Sequence, residues 1–167
     1  MGVPAVDPRR STAALRAAAR FAASKPGRWF AINVSARVDP VMLRLTKGRA
    51  STFAVAPIVN LTVPGRKSGV PRETALVYYT EGDDVILIAS SFGREKHPAW
   101  YHNLIAHPEV TLTAKGHSAH YVAREQHGAE RDRLYELACV LYPGWRDYEV
   151  RAAAANRTIP VLRLSPA

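Results

Sequence analysis

The segment from Gly65 to Gly69, GRKSG, places two cationic side chains and a hydroxyl between two glycines. Glycine allows backbone conformations that turn N–H groups outward, and neighbouring outward N–H groups form a concave site for an anion. Arg72 follows at the start of the next predicted strand. These residues predict a site for a phosphate or a carboxylate, and a solvated basic turn is the alternative.

A second anion site is predicted at the start of a helix that is expected to begin with Pro98. Arg94 and Lys96 precede this helix. The N-terminus of a helix carries a partial positive charge and free N–H groups, which suit a phosphate or a carboxylate. Two anion sites in one small domain favour an extended polyanionic ligand over a single phosphate.

Three aromatic residues, Tyr142, Trp145 and Tyr148, recur every three positions. On a helix this spacing keeps all three rings on one side. Rings with polar tips suit a flat, partly wet pocket. The alternative is an ordinary stripe of core residues, and the charged residues between the rings are compatible with either interpretation.

Other reactive chemistry is weakly represented in the sequence. His97, His102 and His107 are spaced by five, which spreads them around a helix, and no HExxH motif occurs, so we predict no metal site. The single cysteine, Cys139, excludes an internal disulfide and is interpreted as a small core residue. GxSxG, P-loop and GxGxxG motifs are absent. An enzyme with this inventory would depend on a bound cofactor for its reactivity.

The elements that must position these residues are predicted to be short strands joined by tight turns, with helices inserted between them. The alternation of apolar residues predicts strands over 56–63, 73–80, 85–89, 110–113, 119–124 and 158–164. Helices are expected over 98–106, over 128–141 and from the Pro143-Gly144 break to about residue 155. This order predicts an α+β protein, in which about six mostly antiparallel strands form a barrel.

The positive charge is concentrated near the N-terminus. The chain of 167 residues has a net charge of +9, and residues 1–50 hold ten of its Lys and Arg against two acidic residues. We therefore divide it into a basic N-terminal helical arm, residues 1–50, and a barrel domain, residues 51–167. A helix is expected from Ser11 through Leu15 and Phe21, ended by Lys25-Pro26-Gly27, and a second helix with Asp39 as N-cap and Pro40 as its first residue.

Such an arm could contact an anionic membrane surface or simply pack on the domain. The sequence contains no apolar run of about 18 residues and no secretory signal, so a cytoplasmic protein is expected. Peripheral binding to the inner face of the cell membrane is the alternative location.

Four segments together resemble the deazaflavin-dependent nitroreductase family, a group of actinobacterial split-barrel oxidoreductases. They are GRKSG, then Ala89-Ser90-Ser91, then HPAWYHNL at 97–104, then Arg157-Thr158-Ile159-Pro160-Val161. The match runs in order from about residue 42 to 165. The resemblance implies a split β-barrel that binds F420, the 8-hydroxy-5-deazaflavin coenzyme.

The resemblance also implies which residues hold the coenzyme, in four groups. They are the basic turn Arg66, Lys67, Ser68 and Arg72; the strand Thr74, Ala75, Leu76 and Val77; the strand end Ala89, Ser90 and Ser91; and the helix residues Trp100, Tyr101 and Asn103. Tyr142, Trp145 and Tyr148 match an aromatic trio on the substrate side, with Trp145 also against the coenzyme. The sequence departs from the family at Val77 and Trp145, where Tyr is found in relatives, and at Ser91-Phe92, where Lys-Gly is usual.

The implied activity is transfer of a hydride from C5 of reduced F420 to a small electron-poor acceptor such as a quinone, an enone or a nitroaromatic. Arg66, Lys67 and Arg72 would position the coenzyme through charge-assisted bonds. Ser90 would hydrogen-bond the acceptor oxygen, and Tyr142, Tyr148 or solvent would supply a proton. The alternatives are a split barrel that uses flavin mononucleotide and a non-enzymatic binder of fatty acid or anionic lipid. Nucleic acid is not expected as a partner.

Overall fold

The computed structural model describes residues 2–10, 14, 17–18, 21, 24–30, 33–34, 36–46, 52 and 56–167. The strands are β1 (Ile58–Pro64), β2 (Pro71–Glu81), β3 (Asp84–Ile88), β4 (Glu109–Ala114), β5 (His117–Gln126) and β6 (Val161–Pro166). The helices are α1 (Lys25–Phe30), α2 (Ala36–Leu45), α3 (Ala99–Ala106), α4 (Gly128–Leu141) and α5 (Gly144–Ala154), with a 3₁₀ turn at Ser91–Gly93.

The strands form a closed antiparallel barrel in the order β1-β2-β3-β6-β5-β4. Alternate residues point inward, as in β1, where Val59, Leu61 and Val63 are fully buried. These side chains meet those of the other strands in a core that fills the barrel. The predicted α+β split-barrel fold is confirmed.

A second core lies outside the barrel, between β2, β3 and the helices α4 and α5. Tyr79 and Ile86 point away from the barrel interior and pack with Leu134, Tyr135 and other residues of the two helices. The Tyr79 hydroxyl donates a hydrogen bond of 2.6 Å to the carbonyl of Leu134. A buried hydroxyl without a partner would cost free energy, so this hydrogen bond stabilises the packing of α4 against the sheet.

One edge of β2 has a partner strand along only part of its length. The pairing with β3 covers Tyr78 to Glu81, whereas the pairing with β1 runs from Pro71 to Val77. After β3 the chain leaves the sheet, and the N–H of Ala89 bonds to the carbonyl of Pro160. The first half of β2 therefore faces a split in the barrel beside residues 89–91.

The first residues of the chain pack on the barrel. The Val3 N–H donates to the Tyr121 hydroxyl at 3.1 Å, and Val3 belongs to the barrel core. The Val6 N–H donates to the side-chain Oγ1 of Thr80 at 2.9 Å, and the Thr80 N–H donates to the carbonyl of Val6 at 2.9 Å. The division of the chain at residue 50 stays a prediction, but these residues belong structurally with the barrel.

The predicted ends of the N-terminal helices are wrong where the structure describes them. Pro26 and Gly27 lie in the first turn of α1. Proline is tolerated there because the first N–H groups of a helix have no acceptor within the helix. The N–H of Gly27 donates to Ser24 Oγ. Asp39 and Pro40 lie inside α2. Asp39 is not the N-cap, because the helix already begins at Ala36; its carboxylate instead accepts bonds from the N–H and hydroxyl of Thr52. The predicted helix from Ser11 through Leu15 lies largely outside the described residues.

Candidate functional site

The basic turn at Gly65–Gly69 joins β1 to β2, but its N–H groups bond within the protein. Those of Ser68 and Gly69 donate to the carbonyl of Gly65, that of Gly65 donates to the carbonyl of Val70, and that of Val70 donates to Ser68 Oγ. Only Gly69 of the two glycines has a positive φ, +67°. The prediction of an outward-facing N–H concavity is therefore wrong for these groups, whereas the Arg66 and Lys67 side chains are exposed.

The turn is held against α3 by a single long-range bond. The N–H of Arg66 donates to Asn103 Oδ1 at 3.1 Å. This contact brings the two predicted anion sites together, because Asn103 lies in the helix that begins just after Pro98. A surface cavity of about 510 Å³ lies between them, and it is lined by Arg66, Glu95, Lys96, His97, Ala99, His102 and Asn103.

The cationic side chains in and beside this cavity differ from four arginines elsewhere on the barrel, which are paired with acids. Among the described barrel residues, the ion pairs are made by Arg131, Arg133, Arg146 and Arg163. None of these pairs includes Arg66 or Lys96, which line the cavity, or Lys67, Arg72 and Arg94, which lie close to them in sequence. Glu95 is the acidic residue in the lining. The cavity therefore presents cations that no carboxylate of the described chain neutralises.

Ser90 lies at the split, immediately before a strained turn. Ser91, Phe92 and Gly93 have consecutive φ angles of +49°, +57° and +74°. Left-handed backbone is unfavourable for residues with a side chain, and it persists where the surrounding structure imposes it. The Ser90 side chain makes no capping hydrogen bond in this turn, so its hydroxyl is available to a ligand.

Arg157 holds this turn in place, and it is not among the site residues that the sequence predicts. Its Nη1 donates to the carbonyl of Ala89 at 3.2 Å and to His97 Nδ1 at 3.1 Å, and its Nη2 donates to the carbonyl of Ser90. Burial lowers the pKa of the guanidinium, which nevertheless stays charged at neutral pH. The signal that could have found it is a lone arginine before the apolar run that forms β6.

Tyr101 and His97 connect the cavity to a second one. Their rings lie 4.9 Å apart, and the Tyr101 hydroxyl donates to Glu125 Oε2 at 2.9 Å. Burial and this hydrogen bond raise the pKa of Tyr101 to about 12. Both residues and Arg157 line a polar cavity of about 500 Å³ that extends toward the start of α4.

The aromatic trio is mostly buried in the second core. Trp145 and Tyr148 are only 5% and 3% exposed, whereas Tyr142 is half-buried. The Tyr142 and Tyr148 hydroxyls lie 3.0 Å apart, and the Phe92 ring packs edge-on against Tyr148. Burial raises the pKa of Tyr142 well above its usual value. The structure thus brings Tyr148 to the Ser90 turn through Phe92, and it leaves Trp145 away from the cavity.

The other predicted residues divide between the split and the core. Thr74, Ala75, Leu76 and Val77 are half-buried along the part of β2 that faces the split. Leu76 packs against the barrel core and Val77 against the second core. Ala89 and Trp100 are buried in the barrel core, and Arg72 and Ser68 are exposed at the turn. The structure therefore supports Trp100 as a packing residue.

Three further findings concern metal binding, the cysteine and the helices. Within the described part of the chain, His, Cys, Asp and Glu side chains form no group that could hold a metal ion. Cys139 is buried in the second core, and burial raises its thiol pKa to about 11, so it is a poor nucleophile. Of the helices that the structure describes, none has the length and apolarity to cross a membrane.

Comparison with known proteins points to one family. The model of the F420H(2)-dependent quinone reductase family matches residues 35–166. An F420H(2)-dependent quinone reductase of Mycobacterium tuberculosis strain H37Rv is 29% identical over 133 residues, which cover 77% of this chain and 88% of that protein.

Solved structures agree with this result. An F420-H2 dependent reductase, FDR-A, aligns with a TM-score of 0.59 and 34% identity over 65% of this chain and 94% of that one. A chain described as a domain-swapped dimer aligns with a TM-score of 0.61 and 30% identity over 84% of this chain and 100% of that one. The protein is thus an F420H2-dependent oxidoreductase with a split-barrel fold, and it belongs to the F420H(2)-dependent quinone reductase family.

Proposed function

We propose that this protein reduces a quinone, with the coenzyme tail held in the cavity between the basic turn and α3. The observation that carries the proposal is the set of unpaired cations around that cavity. Arg66 and Lys96 of the cavity lining, and Lys67 and Arg72 close to Arg66 in sequence, have no ion-pair partner among the described residues, whereas Arg133 and Arg163 at the other end of β2 are paired with acids. Unpaired cations repel one another, so their clustering favours an anionic ligand.

The residues present fit a planar carrier with an acidic tail. Guanidinium and ammonium groups suit a phosphate and carboxylates, and two of them flank the cavity on separate elements, Arg66 on the turn and Lys96 before α3. The half-buried strand residues from Thr74 to Val77 would lie along the ring system, and Ala89 to Ser91 would lie at its edge. When bound, F420H2 supplies the hydride for the reaction.

Ser90 is proposed to orient the acceptor. Its hydroxyl has no protein hydrogen-bond partner among the described residues, although its backbone carbonyl is held by Arg157 and by the N–H of Gly93. A fixed backbone with a free hydroxyl is a preorganised donor, which stabilises negative charge that develops on an acceptor oxygen. We expect Ser90→Ala to lower kcat by about tenfold to a hundredfold.

Tyr142 is the member of the tyrosine pair that reaches the surface. The Tyr142 hydroxyl lies 3.0 Å from the hydroxyl of the buried Tyr148, and burial raises the pKa of Tyr142. A phenol with a raised pKa donates a hydrogen bond but gives up its proton poorly. We therefore propose that Tyr142 and Tyr148 shape the acceptor side of the site and that the proton comes from solvent.

The coenzyme site can be tested by anaerobic fluorescence titration with F420. Arg66→Ala is expected to weaken F420 binding by about tenfold or more, because a charge-assisted bond is lost. Arg163→Ala is the matched control, since Arg163 is paired with Asp84 and Glu81 at the other end of β2. Equal effects of the two substitutions would contradict the assignment.

The acceptor and the coenzyme type need separate assays. We expect the oxidation of F420H2 to be faster with a menaquinone analogue than with a nitroaromatic of similar size. Failure to oxidise F420H2 with any quinone would overturn the proposed acceptor. A yellow protein after purification, with the absorbance of bound flavin mononucleotide, would instead favour the flavin alternative.

A peripheral position on the membrane is a second proposal, which would suit a lipid-soluble quinone. Trp29 and Leu45 are 63% and 75% exposed on α1 and α2, and Val38 and Val41 are exposed beside them. Residues 1–50 carry an excess of eight positive charges. Exposed apolar side chains within a basic segment favour binding to anionic lipid.

The membrane proposal is tested by flotation with vesicles of anionic lipid. Deletion of the arm would also remove Val3 and Val6, which pack on the barrel, so substitution is the sharper test. The double variant Trp29→Ser with Leu45→Ser is expected to lose vesicle binding and to keep its F420 affinity. Vesicle binding that is unchanged in this variant would contradict the proposal.

A further inference from the structure

Arg157 is a buried cation without a carboxylate partner among the residues that the structure describes. It is 7% exposed, its acceptors are two backbone carbonyls and a ring nitrogen, and its Nε is buried without a hydrogen-bond partner among the described residues. A buried charge costs free energy unless it is fully bonded, and pairing with an acid is the common solution. Arg157 instead bonds to one turn and one histidine. Its role is therefore to fix the positions of those groups.

The contact with His97 determines the protonation of its ring. Arginine has donors only, so His97 Nδ1 must be the acceptor in the bond of 3.1 Å. A ring that accepts at Nδ1 is neutral and carries its hydrogen on Nε2. His97 also lines the cavity of Arg66 and Asn103, and its Nε2 has no hydrogen-bond partner among the described residues.

The contacts with Ala89 and Ser90 act on the strained turn. Arg157 donates to both carbonyls immediately before Ser91, Phe92 and Gly93, whose φ angles are all positive. Such a backbone persists only where neighbouring groups impose it. The Arg157 guanidinium therefore connects the turn that carries Ser90 to His97, which lies just before α3.

We propose that Arg157 is a positioning residue, which fixes His97 as a neutral Nε2–H donor at the coenzyme cavity and holds the Ser90 turn in its strained form. The inference deepens the proposed function, since it assumes that the coenzyme tail lies in that cavity. A neutral donor bonds an anion without adding a further positive charge to the cluster of Arg66 and Lys96.

Nitrogen-15 NMR of the imidazole rings in the coenzyme-free protein tests the assignment directly. Wild-type His97, identified by loss of its signals in His97→Gln, is expected to show the Nε2–H tautomer and to have a pKa below the ordinary value of 6.5. Burial, Arg157 and His102 lower the pKa of His97, while Glu125 opposes them, and Tyr101, Glu95 and Lys96 are its other polar neighbours. A wild-type ring protonated on Nδ1 would overturn the proposal.

The variant Arg157→Met removes the donors and keeps much of the apolar volume. We expect His97 to become a mixture of tautomers that titrates closer to pH 6.5, and F420 to bind about tenfold more weakly. Arg163→Met is the matched control, and it is expected to leave both measurements unchanged. An unchanged His97 spectrum in Arg157→Met, or an unchanged F420 affinity, would refute the positioning role.

Two further outcomes keep the test decisive. If Arg157→Met does not fold, Arg157→Lys retains the charge but cannot reach all three acceptors, so partial loss of the Nε2–H tautomer and of F420 affinity is expected. Wild-type behaviour of Arg157→Lys in both measurements would count against the proposal. If the wild-type protein shows the predicted tautomer but does not bind F420, the proposed coenzyme site fails, whereas the effect of Arg157 on His97 stands.

Discussion

Gly93 ends the strained turn and lies against the backbone of α5. A Cβ atom at this position would lie 2.6 Å from the carbonyl oxygen of Tyr148, 3.0 Å from its Cα and 2.9 Å from Arg151 Cβ. Two of these atoms are backbone, so they cannot rotate away. The φ of +74° adds a second penalty, because alanine is disfavoured in left-handed backbone.

We expect Gly93→Ala to destabilise the protein by about 2–5 kcal/mol. The left-handed conformation contributes about 1–2 kcal/mol, and overpacking contributes about 1–3 kcal/mol. Gly82→Ala separates the two causes, because Gly82 has a φ of +61° and a Cβ added there would meet no described atom within 4 Å. This control should lose only the conformational part.

The assay is urea unfolding followed by tryptophan fluorescence, with the free energy obtained by linear extrapolation. The midpoint of Gly93→Ala is expected to lie clearly below that of Gly82→Ala. Its affinity for F420 should also fall under native conditions, since the turn that carries Ser90 must shift. Equal midpoints for the two variants would show that the turn is not packed against α5 as described.

Three other perturbations test separate parts of the structure. Asn103→Ala removes the acceptor for the Arg66 N–H, so F420 affinity measured by fluorescence should fall about fivefold while the unfolding midpoint changes little; a change in the midpoint alone would contradict the role of Asn103 at the cavity. Hydrogen bonds from Arg133 lower the pKa of Glu130 to about 2, so its stabilising contribution is complete above pH 4.5 and lost as the pH falls toward 2. Urea midpoints over this range should fall less steeply in Glu130→Gln than in the wild type, and parallel curves would refute this. Tyr142→Phe should change kcat less than about threefold, because a phenol with a raised pKa is a poor acid, and a loss of a hundredfold would instead assign Tyr142 as the proton donor.

The barrel was predictable because its signals are local. Apolar residues alternate through Val59, Leu61 and Val63, and Gly82 marks a tight turn with a positive φ. Helix α4 has the predicted bounds, residues 128–141, because a regular apolar face continues up to the Pro143-Gly144 break. Such strand, turn and helix patterns depend on residues that are close in sequence, so they can be recognised without the structure.

The site was less predictable because its decisive contacts are remote. The acceptors of Arg157 lie 60 to 68 residues earlier in the chain. Asp39 fits the pattern of a helix N-cap, but its carboxylate bonds to Thr52, 13 residues later. The spacing of the aromatic trio shows that its rings share a helix face, whereas only the packed fold shows that Trp145 and Tyr148 on this face meet the second core. The resemblance to a family supplied the coenzyme, which no local pattern could specify.

The two ends of β2 differ in charge. Arg72 lies near the start of the strand close to other unpaired cations, and Glu81 ends the strand in a network of acids and arginines whose charges largely cancel. About 30 Å of strand separates them, several times the screening length of about 8 Å in physiological salt. An approaching polyanion therefore senses one pole of the molecule and not the other. Its orientation is set during diffusion, so the rate of capture should fall with ionic strength more steeply than the rate of release.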